Sequence, residues 1–303
     1  MSAATVTLLP PRRRSGSATR LLGTATWFVA VIAVSISTVL PLIWTLSTSL
    51  KPEAEIISSQ LSFIPRTPTV ENYVSLFVDG PFARYLANSF IIAAVGTITN
   101  IFFGSLGGYA LAKLQFRGRG AVFGSFLASM MIPAIVTMIP TFLVLRHFPL
   151  AGGNDLLGQG GIGFLNSYAA VLVPYAAGAF AVFFMKQVYE SLPSDLGEAA
   201  RIDGASEFRI FTSIYFPLSR AGAAVLAVLT FQAGWNAFLW PLIVFSDPNM
   251  YTAQVGLASY VNEHATLYGP LMAGTIVTSI PVLIIFMFAQ KYIVQNFATS
   301  GGK

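Results

Sequence analysis

The stretch Leu192-Pro-Ser-Asp-Leu-Gly-Glu-Ala-Ala-Arg-Ile-Asp-Gly-Ala-Ser-Glu-Phe-Arg-Ile-Phe-Thr-Ser-Ile-Tyr-Phe-Pro217-Leu218 carries most of the information in this chain. It reads as two short helices around a glycine. Ser194 is placed to cap the first helix, and Asp195 suits its positively polarised first turn. Gly204 suits the left-handed residue just past a helix end. Ser206 is placed to cap the second helix, along which Phe208, Phe211 and Ile214 recur at helical spacing. Pro217 helps to end it. Ala199 and Ala200 are small enough for close helix approach. Glu198, Asp203 and Glu207 are mixed with Arg201 and Arg209, which suits docking on a polar groove of another protein. The same features also fit an ordinary helical hairpin.

Outward from this segment the chain turns apolar. Hydrophobic residues make up 55% of the 303 and charged residues only 10%, against about 25% charged in a soluble domain. Charge-free windows run over 21–50, 85–112, 120–145, 156–185, 221–246 and 265–290. A spanning helix needs about 20 apolar residues, so each window holds one span and none comfortably holds two. The spans are expected near 22–47, 86–112, 121–145, 166–185, 221–246 and 269–290. They should be helical, because lipid offers no partner to an open strand edge. The ~10-residue alternation of a barrel strand is missing. Pro133, Pro140, Pro174 and Pro281 fall inside spans and predict kinks.

Basic residues set the orientation. Thirteen of the 17 Lys and Arg fall in the N-terminal tail, the loop after span 2, the loop after span 4 and the C-terminal tail. The other four, Lys51, Arg66, Arg84 and Arg146, fall on the opposite side. Positive residues accumulate on the cytoplasmic side, so both termini and residues 192–218 are expected there. The 30-residue first window exceeds the roughly 7–15 apolar residues of a signal peptide and is expected to be an uncleaved span.

None of the six spans contains Asp, Glu, Lys, Arg or His. Proton-coupled transporters usually carry such groups as relays, so proton coupling lacks an evident carrier, although Na⁺ coupling through carbonyls stays open. A phosphate-binding loop of the form G-x-x-x-x-G-K-[ST] is absent, and Gly301-Gly302-Lys303 is not one. His147 and His264 are isolated, Glu263-His264 lacks a second histidine at ligand spacing, and there is no cysteine. An intramembrane enzyme, a metal centre or an ATPase is therefore not expected. If the protein pumps, its energy comes from another subunit.

Glu198-Ala199-Ala200, Gly204, Ile214 and Pro217 match the pattern E-A-A-x₃-G-x₉-I-x-x-P. This resembles the signature of permease subunits of binding-protein-dependent ABC importers. In that family the loop is the coupling helix that enters a groove on the ATPase. The resemblance runs from Pro41 to the C-terminus and is similar to the maltose-type, carbohydrate-uptake branch. Further matches are Leu50-Lys51-Pro52, Glu71-Asn72-Tyr73, Asn88-Ser89, Gly108-Tyr109-Ala110-Leu111-Ala112, Ile132-Pro133, Ile139-Pro140 and the run from Trp235 to Leu242. The tail from Gln295 through Thr299, Ser300, Gly301, Gly302 and Lys303 also matches. Two departures stand out: Ala237 replaces a residue commonly acidic or polar, and the outer loop 150–164 is glycine-rich and longer than usual.

The resemblance implies an all-α type I importer permease with six transmembrane helices and both ends cytoplasmic. Its regions would be a tail over 1–20, a first helix and outer loop over 21–84, a five-helix core over 85–290 and a tail over 291–303. It implies a second, non-identical permease, two ABC ATPase subunits that bind ATP and Mg, and an extracytoplasmic solute-binding protein, in a prokaryotic cytoplasmic membrane. No cofactor in this chain, no metal and no nucleic acid are expected. Glu198, Ala199, Ala200, Arg201, Asp203, Gly204, Ile214 and Pro217 would form the ATPase-coupling site, and residues 299–303 would reach the ATPase pair. Gln232, Trp235, Asn236 and Trp240 are candidates for the substrate path, with Ser89, Asn100 and Thr137 behind them. The expected cargo is a sugar or oligosaccharide. A glycerol-phosphate-type solute is the alternative within the class, and an ion-coupled transporter or channel the alternative outside it.

Overall fold

The computed structural model describes residues 17–58, 62–261 and 266–300, with backbone alone for 17–22, 289 and 291–300. Among the described residues all regular structure is helical, apart from one isolated bridge between Val261 and Thr266. Three helices are long and apolar enough to cross a membrane unbroken: Gly23–Ser49, Phe82–Lys113 and Tyr268–Phe288. We call these spans 1, 2 and 6. The helix of span 6 continues to Ser300, so the boundary expected at 290 is not a structural break.

The other three spans are interrupted. Span 3 consists of Arg119–Met131 and Ala134–Arg146, turned through 105° at Ile132-Pro133. The kink expected at Pro133 is thus a full corner. Proline cannot donate to the ladder, and it forces the preceding Ile132 into extended backbone, which stops the first half outright. Span 4 consists of Tyr168–Tyr175 and Ala179–Glu190, bent by 41°. Span 5 runs over Arg220–Trp235, stops at Asn236-Ala237-Phe238 and resumes as Leu239–Val244. The segment Glu207–Leu218 meets Arg220–Trp235 at 77°. It belongs to the loop rather than to span 5, because it carries Glu207 and Arg209 and is tied to the end of span 2.

The turns between spans gather at two ends, as alternate crossings require. At one end, rich in basic residues, Lys113 of span 2 donates to Leu192 O (2.7 Å) and Arg119 faces Glu190 (3.8 Å). At the far end, Arg84 and Asn88 of span 2 donate to Asn249 O (3.1 and 2.9 Å), and Asn166 N–H donates to Val244 O (3.1 Å). Span 3 therefore joins the two ends despite its corner.

Spans 2 and 4 pack closely. A Cβ on Gly108 would lie 2.7 Å from the Lys186 backbone nitrogen, and one on Gly104 would lie 2.8 Å from Ala181 Cβ. Small residues four apart let two spanning helices touch backbone to backbone. Span 1 leaves the bundle to lie along span 6, and its Trp27, Phe28, Ile32 and Val34 are exposed. In a chain with this composition those side chains face lipid.

Candidate functional site

Residues 192–218 fold as two helical pieces hinged at glycine. The first is Asp195–Ile202. Gly204 takes φ +79, its N–H donates to Arg201 O (3.0 Å), and Ala205 N–H donates back to Ala200 O (2.9 Å). That double closure is the Schellman end of a helix and requires the left-handed residue. Ser206 Oγ accepts from Arg209 N–H (3.4 Å) and caps Glu207–Ile210, which passes through a π turn, Phe211–Tyr215, into Phe216–Leu218. Ser194 makes no such cap. Its backbone is already helical (φ −78, ψ −27), and its hydroxyl takes a weak bond from Lys113 Nζ instead (3.4 Å).

A cluster of tyrosines beneath the loop fixes it to the bundle. Tyr215, fully buried, donates to Pro193 O (3.1 Å), and a Cβ on Gly197 would come within 2.9 Å of its hydroxyl. Its ring lies 5.5 Å from Tyr109 of span 2 and 6.5 Å from Tyr189 of span 4. The Lys113 ammonium stands 5.2 Å above the Tyr215 ring. Glu207 accepts from Tyr109 OH (2.8 Å) and is gripped in a fork by Arg201 Nε (2.5 Å) and Nη2 (3.2 Å). The Arg201 hydrogen bond holds the Glu207 carboxyl below its ordinary range, Tyr109 acts in the same direction, and partial burial opposes both. Ile214 and Ala200 pack against this cluster.

What stays outside is a mixed face. Glu198, Ala199 and Asp203 are exposed, as are Ile202 (87%) and Phe208 (67%). Glu198 and Asp203 form no ion pair among the described residues. Arg201, expected at the same face, is exposed there too, with its guanidinium forked onto Glu207. Ile202 and Phe208 belong to the exposed face although the family pattern does not mark them. Their signal was large apolar residues in a charged loop. Thr299 and Ser300 close the last helix, while residues 301–303 lie outside the described residues.

The interruptions of spans 3, 4 and 5 converge on one cavity of about 630 Å³. Ala134 and Met138 line it beyond the corner of span 3, Tyr175 and Gly178 flank the break of span 4, and Ala237 and Phe238 lie in the break of span 5. Gly96 and Asn100 of span 2 form the remaining wall. The lining holds no acidic or basic side chain. Of the residues expected on a solute path, Asn100 and Trp240 line the cavity; the Trp240 indole donates to Ala170 O (3.1 Å) and its ring meets Tyr175 edge-on at 6.4 Å. Trp235 does not. It is buried, donates to Thr278 O (3.0 Å) and knits span 5 to span 6. Gln232 sits on another side of the span near Phe286, and Asn236 is exposed at the helix end, outside the lining. Ser89 is fully buried and accepts from Ala253 N–H (2.8 Å), while Thr137 bonds its own helix at Ala134 O. Tyr175 and Phe238 line the cavity as well, although nothing in their local sequence separates them from lipid-facing aromatics.

Short motifs also hold the far end together. Asn72 donates to Ser49 O and Lys51 O (2.9 and 2.8 Å), and Asn88 bridges Asn249 O and Tyr251 O (both 2.9 Å). Glu53 accepts from Gly269 N–H (3.1 Å) at the start of span 6, where a carboxylate meets the free amides of a helix N-terminus. The glycine-rich loop is folded, with Asn154 and Asp155 accepting from its own backbone amides.

This arrangement of broken and unbroken spans around a cavity, with a hinged loop at one end, defines a multi-pass helical membrane permease. Residues 101–299 match the model of the binding-protein-dependent transport system inner membrane component, and the chain belongs to that family. It is 34% identical over 279 residues to the arabinooligosaccharides transport system permease protein AraQ of Halalkalibacterium halodurans, covering 91% of this chain and 93% of that one. It is 33% identical over 254 residues to the sn-glycerol-3-phosphate transport system permease protein UgpE of Escherichia coli, covering 81% and 85%. Its fold matches a chain of a bacterial ABC transporter involved in the import of the acidic polysaccharide alginate, with a TM-score of 0.77 and 25% identity over 94% of this chain and 99% of that one.

Proposed function

We propose that this chain is the translocation subunit of a sugar or oligosaccharide importer driven by separate ATPase subunits. The observation that carries the reading is the loop 192–218, whose pattern matches the family's coupling helix. A rigid hinged element, anchored beneath by tyrosines, holds Glu198, Ile202, Asp203 and Phe208 outward at the basic end of the bundle. Such a face, which mixes exposed apolar residues with the unpaired charges of Glu198 and Asp203, suits a groove on another protein. The partners implied are two ABC ATPases that bind ATP and Mg, a second permease that is not a copy of this chain, and an extracytoplasmic binding protein. The basic end then faces the cytoplasm of a prokaryotic cell, as the distribution of Lys and Arg requires.

The cavity supports a neutral cargo over a phosphorylated one. Phosphate recognition calls on Arg, Lys or backbone amides at a helix start. The lining instead offers Tyr175, Phe238 and Trp240, faces on which a sugar ring stacks. Ala237 in place of a polar residue makes the wall more apolar still. The test is uptake by the purified complex in sealed vesicles. It should stop with vanadate and persist when ion gradients are collapsed. Uptake that follows the gradients and ignores vanadate would point to an ion-coupled transporter.

A further inference from the structure

Span 2 is the one helix of the cavity wall without a break. Its 32 residues reach about 48 Å at 1.5 Å per residue. Each end is clasped to a different structure. At the far end Arg84, Asn88 and Ser89 hold the segment 249–253 through bonds of 2.8–3.1 Å. At the basic end Tyr109 bonds Glu207 and Lys113 bonds Leu192 O, one on each half of the hinged loop. Chain order places the loop between spans 4 and 5, so a direct grip by span 2 is not required by connectivity.

We propose that Tyr109, buried in span 2, and the Glu207–Arg201 pair at the loop surface form a strut that makes the loop and span 2 one mechanical piece. Arg201 is then a positioning residue and not a contact to the ATPase. Glu207 is the node. It takes a hydrogen bond from span 2 and a forked grip from Arg201, which lies on the first loop helix while Glu207 opens the second. Three segments thereby meet on one carboxylate, and a planar guanidinium fixes their angles better than a single-point contact would. Arg201 stays exposed, but its guanidinium is engaged by Glu207, and the groups left to a partner, without an ion pair or hydrogen bond to the bundle among the described residues, are Glu198, Ile202, Asp203 and Phe208. Displacement of the loop would pass along span 2 to the clasp at 249–253, while the broken spans change angle around the cavity. The consequence for transport rests on the docking role proposed above for the loop; the strut itself does not.

The test is a charge swap read in two ways. The sequence contains no cysteine, so spin labels at Phe116→Cys and Ser213→Cys report the distance from span 2's end to the second loop helix. In the assembled complex that distance should be narrowly distributed. It should broaden in Arg201→Glu, in Glu207→Arg and, less, in Tyr109→Phe. It should narrow again in Arg201→Glu combined with Glu207→Arg. Solute uptake should fall about tenfold in each charge reversal and return to within about threefold of wild type in the swap, since paired residues couple non-additively. Narrow distances in every variant, or a swap no better than its worse parent, would overturn the strut. A contact from Arg201 to the ATPase predicts that second result, because the partner would still face inverted charges. The distances do not depend on ATP, so they judge the strut even if Glu198→Lys shows that the loop does not dock.

Discussion

Asn100 and Gly178 meet across the break in span 4. The Asn100 amide oxygen accepts from Gly178 N–H (3.3 Å), and its nitrogen donates to Tyr175 O (2.8 Å). A Cβ on Gly178 would stand 2.7 Å from the same oxygen. Breaking a helix inside a bilayer frees backbone groups that lipid cannot satisfy. Here a side chain of span 2 satisfies two of them, and the break is held open at the wall of the cavity.

Asn100→Ala should therefore destabilise the permease. Leaving polar groups unpaired where water does not reach costs about 1–3 kcal/mol, an upper bound for these groups at the cavity wall. The thermal midpoint of the purified complex should drop by several degrees. An unchanged midpoint would mean that the freed groups find other partners.

Gly108 and Gly96 lie on the same helix and make opposite predictions. Gly108→Val would drive a branched side chain into the Lys186 backbone, with no flexible group to yield. It should abolish recovery of a monodisperse chain on size exclusion. A Cβ at Gly96 meets only Leu172 Cδ2 at 3.7 Å, an ordinary contact, so Gly96→Ala should be recovered at wild-type yield.

The balance of what was legible follows from the range of the interactions. The spans, the two ends, the left-handed Gly204 and the Ser206 cap rest on residues within a few positions of each other, and local pattern reveals them. Ser194 has the same chemistry as Ser206, but it is not the capping residue, because the backbone there has already turned helical. Trp235 and Trp240 look alike in sequence. Which one faces the cavity depends on where the helix stops between them, at Asn236-Ala237-Phe238. The pairing of Tyr109 with Glu207 joins positions 98 apart. Its two ends lay in plain view, but nothing local connects them.

The loop's attachment should be insensitive to pH over the physiological range. The Glu207 carboxyl is held below its ordinary value of 4.5, chiefly by the Arg201 hydrogen bond. A lowered acid contributes stability that is present above its unfolded value and lost as pH falls through the folded one. Spin-label distances between 116 and 213 should thus stay constant from about pH 8 to about pH 5 and broaden only in stronger acid. Broadening near neutrality would contradict the ion pair.

Tyr175 should influence solute passage through its ring. Tyr175→Ala should raise the half-saturating solute concentration about three- to tenfold, the range of an aromatic contact, with assembly intact. Tyr175→Phe should recover most of that loss. Equal kinetics in wild type and Tyr175→Ala would remove the ring from the path.

In the proposed function the loop 192–218 carries the ATPase's closure into the bundle. Glu198 is exposed and without an ion pair among the described residues, so its charge is available to a partner. The most direct measurement is solute uptake and ATP hydrolysis side by side in reconstituted complexes carrying Glu198→Lys, with subunit stoichiometry verified. Charge reversal at a protein interface should cut uptake at least about tenfold and abolish the rise in hydrolysis caused by loaded binding protein, while the chain still inserts. Wild-type uptake with full stimulation of hydrolysis would contradict the account.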